Sequence, residues 1–235
     1  MLVTLSALAG ILLIVLWWSA GLRPAWWSPI DQASPALRDR ATRLENGAVT
    51  LMYGGDPATA PATPGPANTP RRFTALVTAD DAQAWLNTKM PQWAVAAGHV
   101  RRWPAEISDL TLRFENDQLL LGARLQTTSG ERFVAALLTP RIDESGQLWI
   151  TAKSVSIGRL TLPASLLLPS ALPPSATAAA EPGAAAMSNA LAGRAPLALR
   201  PTLQLAGSQV LHLRAISVKD GNLLLECEVE PAPKR

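Results

Sequence analysis

The sequence predicts an α+β fold: an N-terminal transmembrane helix, then a curved, mainly antiparallel β-sheet domain packed on one or two helices. Three observations carry that expectation. An apolar run without charge opens the chain. Several later segments alternate apolar and polar residues with a period of two, separated by polar turns, as half-buried strands do. Ahead of most of them, Ala82, Trp85, Leu86 and Met90 recur at helical spacing.

The opening run, LVTLSALAGILLIVLWWSAGL, spans Leu2 to Leu22, 21 residues without an Asp, Glu, Lys or Arg. At about 1.5 Å per residue it is long enough for a hydrocarbon core of about 30 Å. Trp17 and Trp18 near its end, followed by Trp26 and Trp27, form a candidate membrane-interface belt, since an indole has an apolar body and an N–H that needs a polar partner. A cleaved signal peptide is the rival reading. It needs a basic segment before the apolar run, and no Lys or Arg precedes this one. The expected location is therefore a membrane, crossed once, with the folded part periplasmic or otherwise extracytoplasmic. Arg23, Arg38, Arg40 and Arg43 follow the run and pull toward the cytoplasmic side, so the orientation stays open.

The expected organisation follows composition. Residues 1–23 are the anchor. Residues 24–56 hold a juxtamembrane helix and a short strand: Ser34-Pro35 starts the helix, Asn46-Gly47 stops it, and Val49–Tyr53 is the strand. Residues 57–70, rich in Pro, Ala and Thr, are a linker with nothing larger than Ala to bury. Residues 71–168 are the sheet domain, with a helix over 79–90 that Thr78 caps and Pro91 ends. Asp80 and Asp81 in its first turn suit the helix dipole. Residues 169–196 are a second Pro/Ala-rich insert, expected to be flexible. Residues 197–230 supply strands that complete the sheet, and 231–235 are a tail.

Two hairpins look alike. LTLRFENDQLLLGARL starts at Leu110 and RAISVKDGNLLLECEV at Arg214, an offset of 104 residues. Each runs strand, polar turn, then Leu-Leu-Leu. Three adjacent leucines place apolar side chains on both faces of a strand, so both faces are expected to be dry. Trp85, Leu86, Leu112, Phe114, Leu120, Leu121 and Leu224 are the candidate residues for an apolar groove or core.

Chemistry leaves little trace. The chain has 235 residues, a net charge of +3 and one cysteine, Cys227, so no internal disulfide forms. The basic residues make no stripe of the kind nucleic acid needs, and no nucleic-acid partner is expected. There is no nucleophile elbow, phosphate loop or dinucleotide fingerprint. His99 and His212 stand apart from any ligand cluster. No catalytic residue, cofactor or metal is assigned, and the protein is not expected to be an enzyme. Glu226 and Glu228 share one strand face and are read as a solvated face.

The apolar run, FTALVTADDAQAWL from Phe73, the hairpins, and GQLWITAKSVSIGRLTLPASLL from Gly146 together resemble bacterial membrane-anchored relatives of the tubular lipid-binding (TULIP-like) domains. The resemblance implies a long helix wrapped by a curved sheet, with acyl chains in the groove. The insert at 169–196 departs from that pattern. Two functions are expected. The Trp belt, the lack of chemistry and the linkers point to an accessory or assembly subunit of a larger membrane complex, with membrane lipids and integral-membrane proteins as partners. The doubly apolar strands and the resemblance point to a membrane-anchored module holding a lipid or other apolar ligand.

Overall fold

The structure is a computed structural model. It describes residues 19–54, 70–96, 98, 101–167, 189–196, 202–204 and 210–230. Helix α1 spans Pro35–Gly54, strand β1 Arg71–Thr78, helices α2 and α3 Ala79–Thr88 and Met90–Ala96. Strands β2 Ile107–Glu115, β3 Gln118–Thr127, β4 Gly130–Ile142, β5 Leu148–Ile157 and β6 Leu160–Pro163 follow, then the single turn α4 Ala164–Leu167. Strands β7 Thr202–Gln204, β8 Val210–Lys219 and β9 Asn222–Glu230 complete the described chain.

The antiparallel α+β architecture is present, divided between two sheets. One has the order β2-β3-β4-β5-β6 and the other β1-β9-β8-β7. The C-terminal strands therefore join β1 in a sheet of their own, and the two sheets meet where β8 approaches β4 and β2. Both similar hairpins close with two residues at positive φ: Asn116 and Asp117 in one, Asp220 and Gly221 in the other. Such turns carry the right-handed twist of the strands they join.

The expected membrane span is a correction. Among the described residues no helix is long and apolar enough to cross a membrane. The body of the Leu2–Leu22 run, with Trp17 and Trp18, lies outside the described residues. Its described end is seated on protein. The Arg159 N–H donates to the Ser19 carbonyl at 3.0 Å, and Arg159 Nε donates to the Arg23 carbonyl at 3.1 Å. Trp27, expected in a membrane belt, is 6 % exposed and packs on Phe133 with ring centroids 4.9 Å apart. The Trp26 ring lies over Gly122, where an added Cβ would come within 2.8 Å of it. The segment closes with Gln32 Nε2 donating to Asp109 Oδ1 at 2.8 Å. Residues 19–34 are thus a strap across the five-stranded sheet. The single-pass location, the membrane-lipid and integral-membrane partners, and both anchored functions lose their support with the span.

Further expectations change in detail. Gly47 does not stop α1, which continues through the stretch expected as a strand at Val49–Tyr53. Thr50 Oγ1 donates to the Asn46 carbonyl at 2.9 Å, joining the two sides of that glycine. The helix expected over 79–90 is two: α2 ends at Thr88, and Pro91 sits in the first turn of α3, where a missing N–H costs no helix bond. Thr78 does cap α2, with the Asp81 N–H donating to its hydroxyl at 3.2 Å. The second linker, 169–196, lies largely outside the described residues. Its end is packed, however: Ala190 is 1 % exposed, and Leu191 joins Leu119, Leu121, Leu138, Ala152 and Ala164 on the five-stranded sheet. The first linker's residues 57–69 also lie outside the described residues.

Neither leucine triplet has two dry faces. Leu119, Leu120, Leu121, Leu223, Leu224 and Leu225 are all half-buried. Among the described residues no large side chain is fully buried. The buried apolar side chains gather in two clusters among the described residues, one around Leu211, Cys227 and Val229 on the four-stranded sheet and one around Leu138, Ala152 and Ala164 on the five-stranded sheet.

One edge of the five-stranded sheet is closed by side chains. Asn87 of α2 donates through Nδ2 to the Leu110 carbonyl at 2.6 Å, and its Oδ1 accepts from the Leu110 N–H at 2.7 Å. Gln83, one turn earlier, accepts from the Leu112 N–H at 3.2 Å. The helix supplies β2 with the ladder partners a further strand would have offered.

Candidate functional site: a groove between α1 and the four-stranded sheet

Helix α1 rides on α2 and touches β1 at fewer points. Three polar contacts hold the helices together. Arg40 Nη1 meets Asp80 Oδ2 at 2.7 Å, Lys89 Nζ meets Glu45 Oε2 at 2.9 Å, and Trp85 Nε1 donates to Glu45 Oε1 at 3.3 Å. Each helix carries one fully buried alanine, Ala41 and Ala84, and small residues let helices approach closely. At its C-terminal end α1 is tied to β1 by Arg71, whose Nη2 donates to the Leu51 carbonyl at 3.1 Å and also to that of Met52.

Between these ties α1 stands off the sheet and leaves a groove of about 530 Å³. Leu44, Gly47, Ala48 and Leu51 form the helical wall, and Phe73, Ala75, Leu225 and Cys227 belong to the opposite one. Gly47 keeps that space open: a Cβ built on it meets nothing within 4 Å. Among the described residues the charged lining groups are Arg43 and Asp81. Arg43 is exposed and has no hydrogen-bond or ionic partner among the described residues. The Asp81 carboxylate accepts from the Thr78 hydroxyl at 2.7 Å as part of the α2 cap. Burial pushes the Cys227 thiol above its ordinary value. At neutral pH it is an apolar wall group rather than a nucleophile.

The opposite face of the same sheet is charged. Glu228 is 6 % exposed, not solvated as its strand face suggested. Arg214 Nε donates to it at 2.7 Å and Arg72 Nε lies 3.4 Å away. The Arg214 hydrogen bond holds its carboxyl below the ordinary value, against the opposing effect of burial. Arg214 Nη2 also reaches Glu230 at 3.1 Å.

None of the seven residues expected to line a groove or core lines this groove. Phe114 is buried, and Leu121 packs in the apolar cluster of the five-stranded sheet. Trp85 faces Glu45 and Trp93; Leu86, Leu112, Leu120 and Leu224 are half-buried elsewhere. On β9 the groove takes the other side of the strand, Leu225 and Cys227, not Leu224. The signal available in the sequence was the alternation of Phe73, Ala75 and Val77 with Arg72, Thr74 and Leu76. Its partner, the apolar side of α1, is hidden in the sequence by Asn46-Gly47, a pair that elsewhere stops helices. No group of three or more His, Cys, Asp or Glu among the described residues is placed to hold a metal ion.

No protein-family model, curated protein or solved structure matches the chain.

Proposed function

We propose that the protein is a binding module that takes up apolar side chains of a partner polypeptide in the groove between α1 and the four-stranded sheet, without chemistry on them. The observation that carries this reading is the groove itself: open, largely apolar, and within the ~300–1,000 Å³ range of ligand sites. Supporting it, the lining offers little to a reaction. Asp81 is engaged in a helix cap and Cys227 is held away from its thiolate. Free Arg43 at the rim gives the site a cation that would favour a partner with a nearby carboxylate.

Gly47 provides the test. The space around it admits a large side chain, so Gly47→Trp fills the groove, and Gly47→Leu is a milder version. Fluorescence anisotropy with labelled apolar peptides, one helical and amphipathic, one extended, should show micromolar binding to the full chain. Both variants should weaken it while leaving the circular dichroism spectrum unchanged. Failure of both peptides to bind, or binding indifferent to Gly47→Trp, contradicts the reading.

A further inference from the structure

The two sheets end differently. On the five-stranded sheet, the backbone of β2 is met by Asn87 and Gln83, and the far edge β6 is only four residues long and ends in Pro163. On the four-stranded sheet, β7 has three residues, but β1 is an eight-residue edge strand. Among the described residues no side chain bonds the outer backbone of β1. An edge of that length is ordinarily blunted, because its unpaired N–H and C=O groups template another strand. Here it borders the groove. Ala75, Leu76 and Val77 in succession all line the cavity, so the cavity reaches the strand's edge, and Leu76 is 60 % exposed.

We infer that β1 is a docking edge: an extended segment of a partner polypeptide adds to the sheet beside β1, with alternate side chains entering the groove. The inference rests on the binding role proposed above and specifies its mode. The occupant's chemistry follows from the two faces of β1. On one face Phe73, Ala75 and Val77 continue into the apolar groove, so the partner's residues on that side are Leu, Val or Ile. On the other stand Arg72, Thr74 and Leu76. The Arg72 side chain is 80 % exposed and meets Glu228 only at 3.4 Å. A partner carboxylate on that face has a cation to pair with, and free Arg43 offers a second at the groove rim. The segment recognised is therefore a strand-forming stretch alternating aliphatic with acidic or small polar residues. Main-chain hydrogen bonds supply affinity in this mode and the alternate pockets supply selectivity.

The probe is a fluorescein-labelled octapeptide alternating leucine or valine with glutamate or threonine, titrated into the full chain. Two backbone N-methylated versions keep every side chain and remove N–H donors from one or the other alternate set of residues. Strand addition uses only one set, so one version should bind at least about tenfold more weakly and the other nearly as well as the parent. An amphipathic helical peptide of similar composition is run in parallel, and all are repeated on Gly47→Trp. Equal effects of the two methylation patterns overturn strand addition. So does binding of the helical peptide alone. In both cases sensitivity to Gly47→Trp would leave the groove as a binding site. If neither peptide binds, both the mode and the binding role fail.

Discussion

Asn87 holds both backbone groups of Leu110, receiving its N–H at 2.7 Å and donating to its carbonyl at 2.6 Å. One side chain thereby does for β2 what a neighbouring strand would do. Leu110 is 9 % exposed, so neither group has easy recourse to water once the amide is removed. Asn87→Ala should lower stability by about 2–3 kcal/mol, since two buried polar groups lose their partner. Gln83→Ala, which strips one bond, should cost about 1 kcal/mol. Urea unfolding midpoints of the two variants give the comparison; near-equal, negligible losses would mean that water replaces the amides.

The strap depends on glycines beneath it. At Gly158, φ is +59°, and an added Cβ would lie 2.5 Å from the Ala20 carbonyl oxygen. Backbone on both sides leaves no soft partner to yield. At Gly122 the obstacle is the Trp26 ring at 2.8 Å, which a side-chain rotation relieves. Gly158→Ala should therefore destabilise more than Gly122→Ala, by about 1–3 kcal/mol against a smaller loss. Trp27→Ala should cost about 3–5 kcal/mol as a buried aromatic. Thermal melts would refute the packed strap if Trp27→Ala were nearly neutral.

The Glu228 carboxyl is held below its ordinary value of 4.5, chiefly by the hydrogen bond from Arg214. A group whose pKa is depressed by folding adds stability above its unfolded value, and that stability is lost as the pH falls through the folded one. The wild type should thus lose stability as the pH drops below about 4.5, and Glu228→Gln should flatten this part of the profile. Asp143 adds a second such group, lowered to about 2 mainly by the Ser145 hydroxyl, so the loss should continue to lower pH in both proteins. Stability measured against pH would contradict the account if the two curves ran parallel.

Gly47 lies inside α1, where glycine costs roughly 0.5–1 kcal/mol relative to alanine. Its Cβ position is empty. Gly47→Ala should raise stability by up to about 1 kcal/mol, because nothing in the fold requires the glycine. A loss on chemical denaturation would show that the site is not open.

Much of the fold was legible because its signals are local. Asn116-Asp117 and Asp220-Gly221 mark their turns, since few residues accept positive φ. Thr78 followed by Asp81 marks the start of α2. The misreadings arise where one residue type serves two physical ends. Glycine ends helices when φ is positive, but Gly47 is not among the positive-φ residues, and its role is to leave room. Tryptophans beside an apolar run suit a membrane interface, yet Trp27 fits a sheet face equally well and Phe133 receives it. Three adjacent leucines conceal which face a strand turns to a cavity; here Leu225, with Cys227, lines it, and Leu224 lies on the other face. The strap's contacts with Gly122 and Gly158, far along the chain, have no counterpart in local sequence.

Binding requires that the groove be open to a ligand in the folded protein. Cys227 is the chain's single cysteine and lines it. A direct measurement is its alkylation by N-ethylmaleimide in the native state at mildly alkaline pH, where part of the thiol ionises despite its burial, followed against low concentrations of urea. The rate should be independent of urea at first and reduced in Gly47→Trp, as expected for entry through the groove. A rate that instead follows global stability from the outset, and is the same in Gly47→Trp, would mean that the thiol is reached only by unfolding, contradicting the claim.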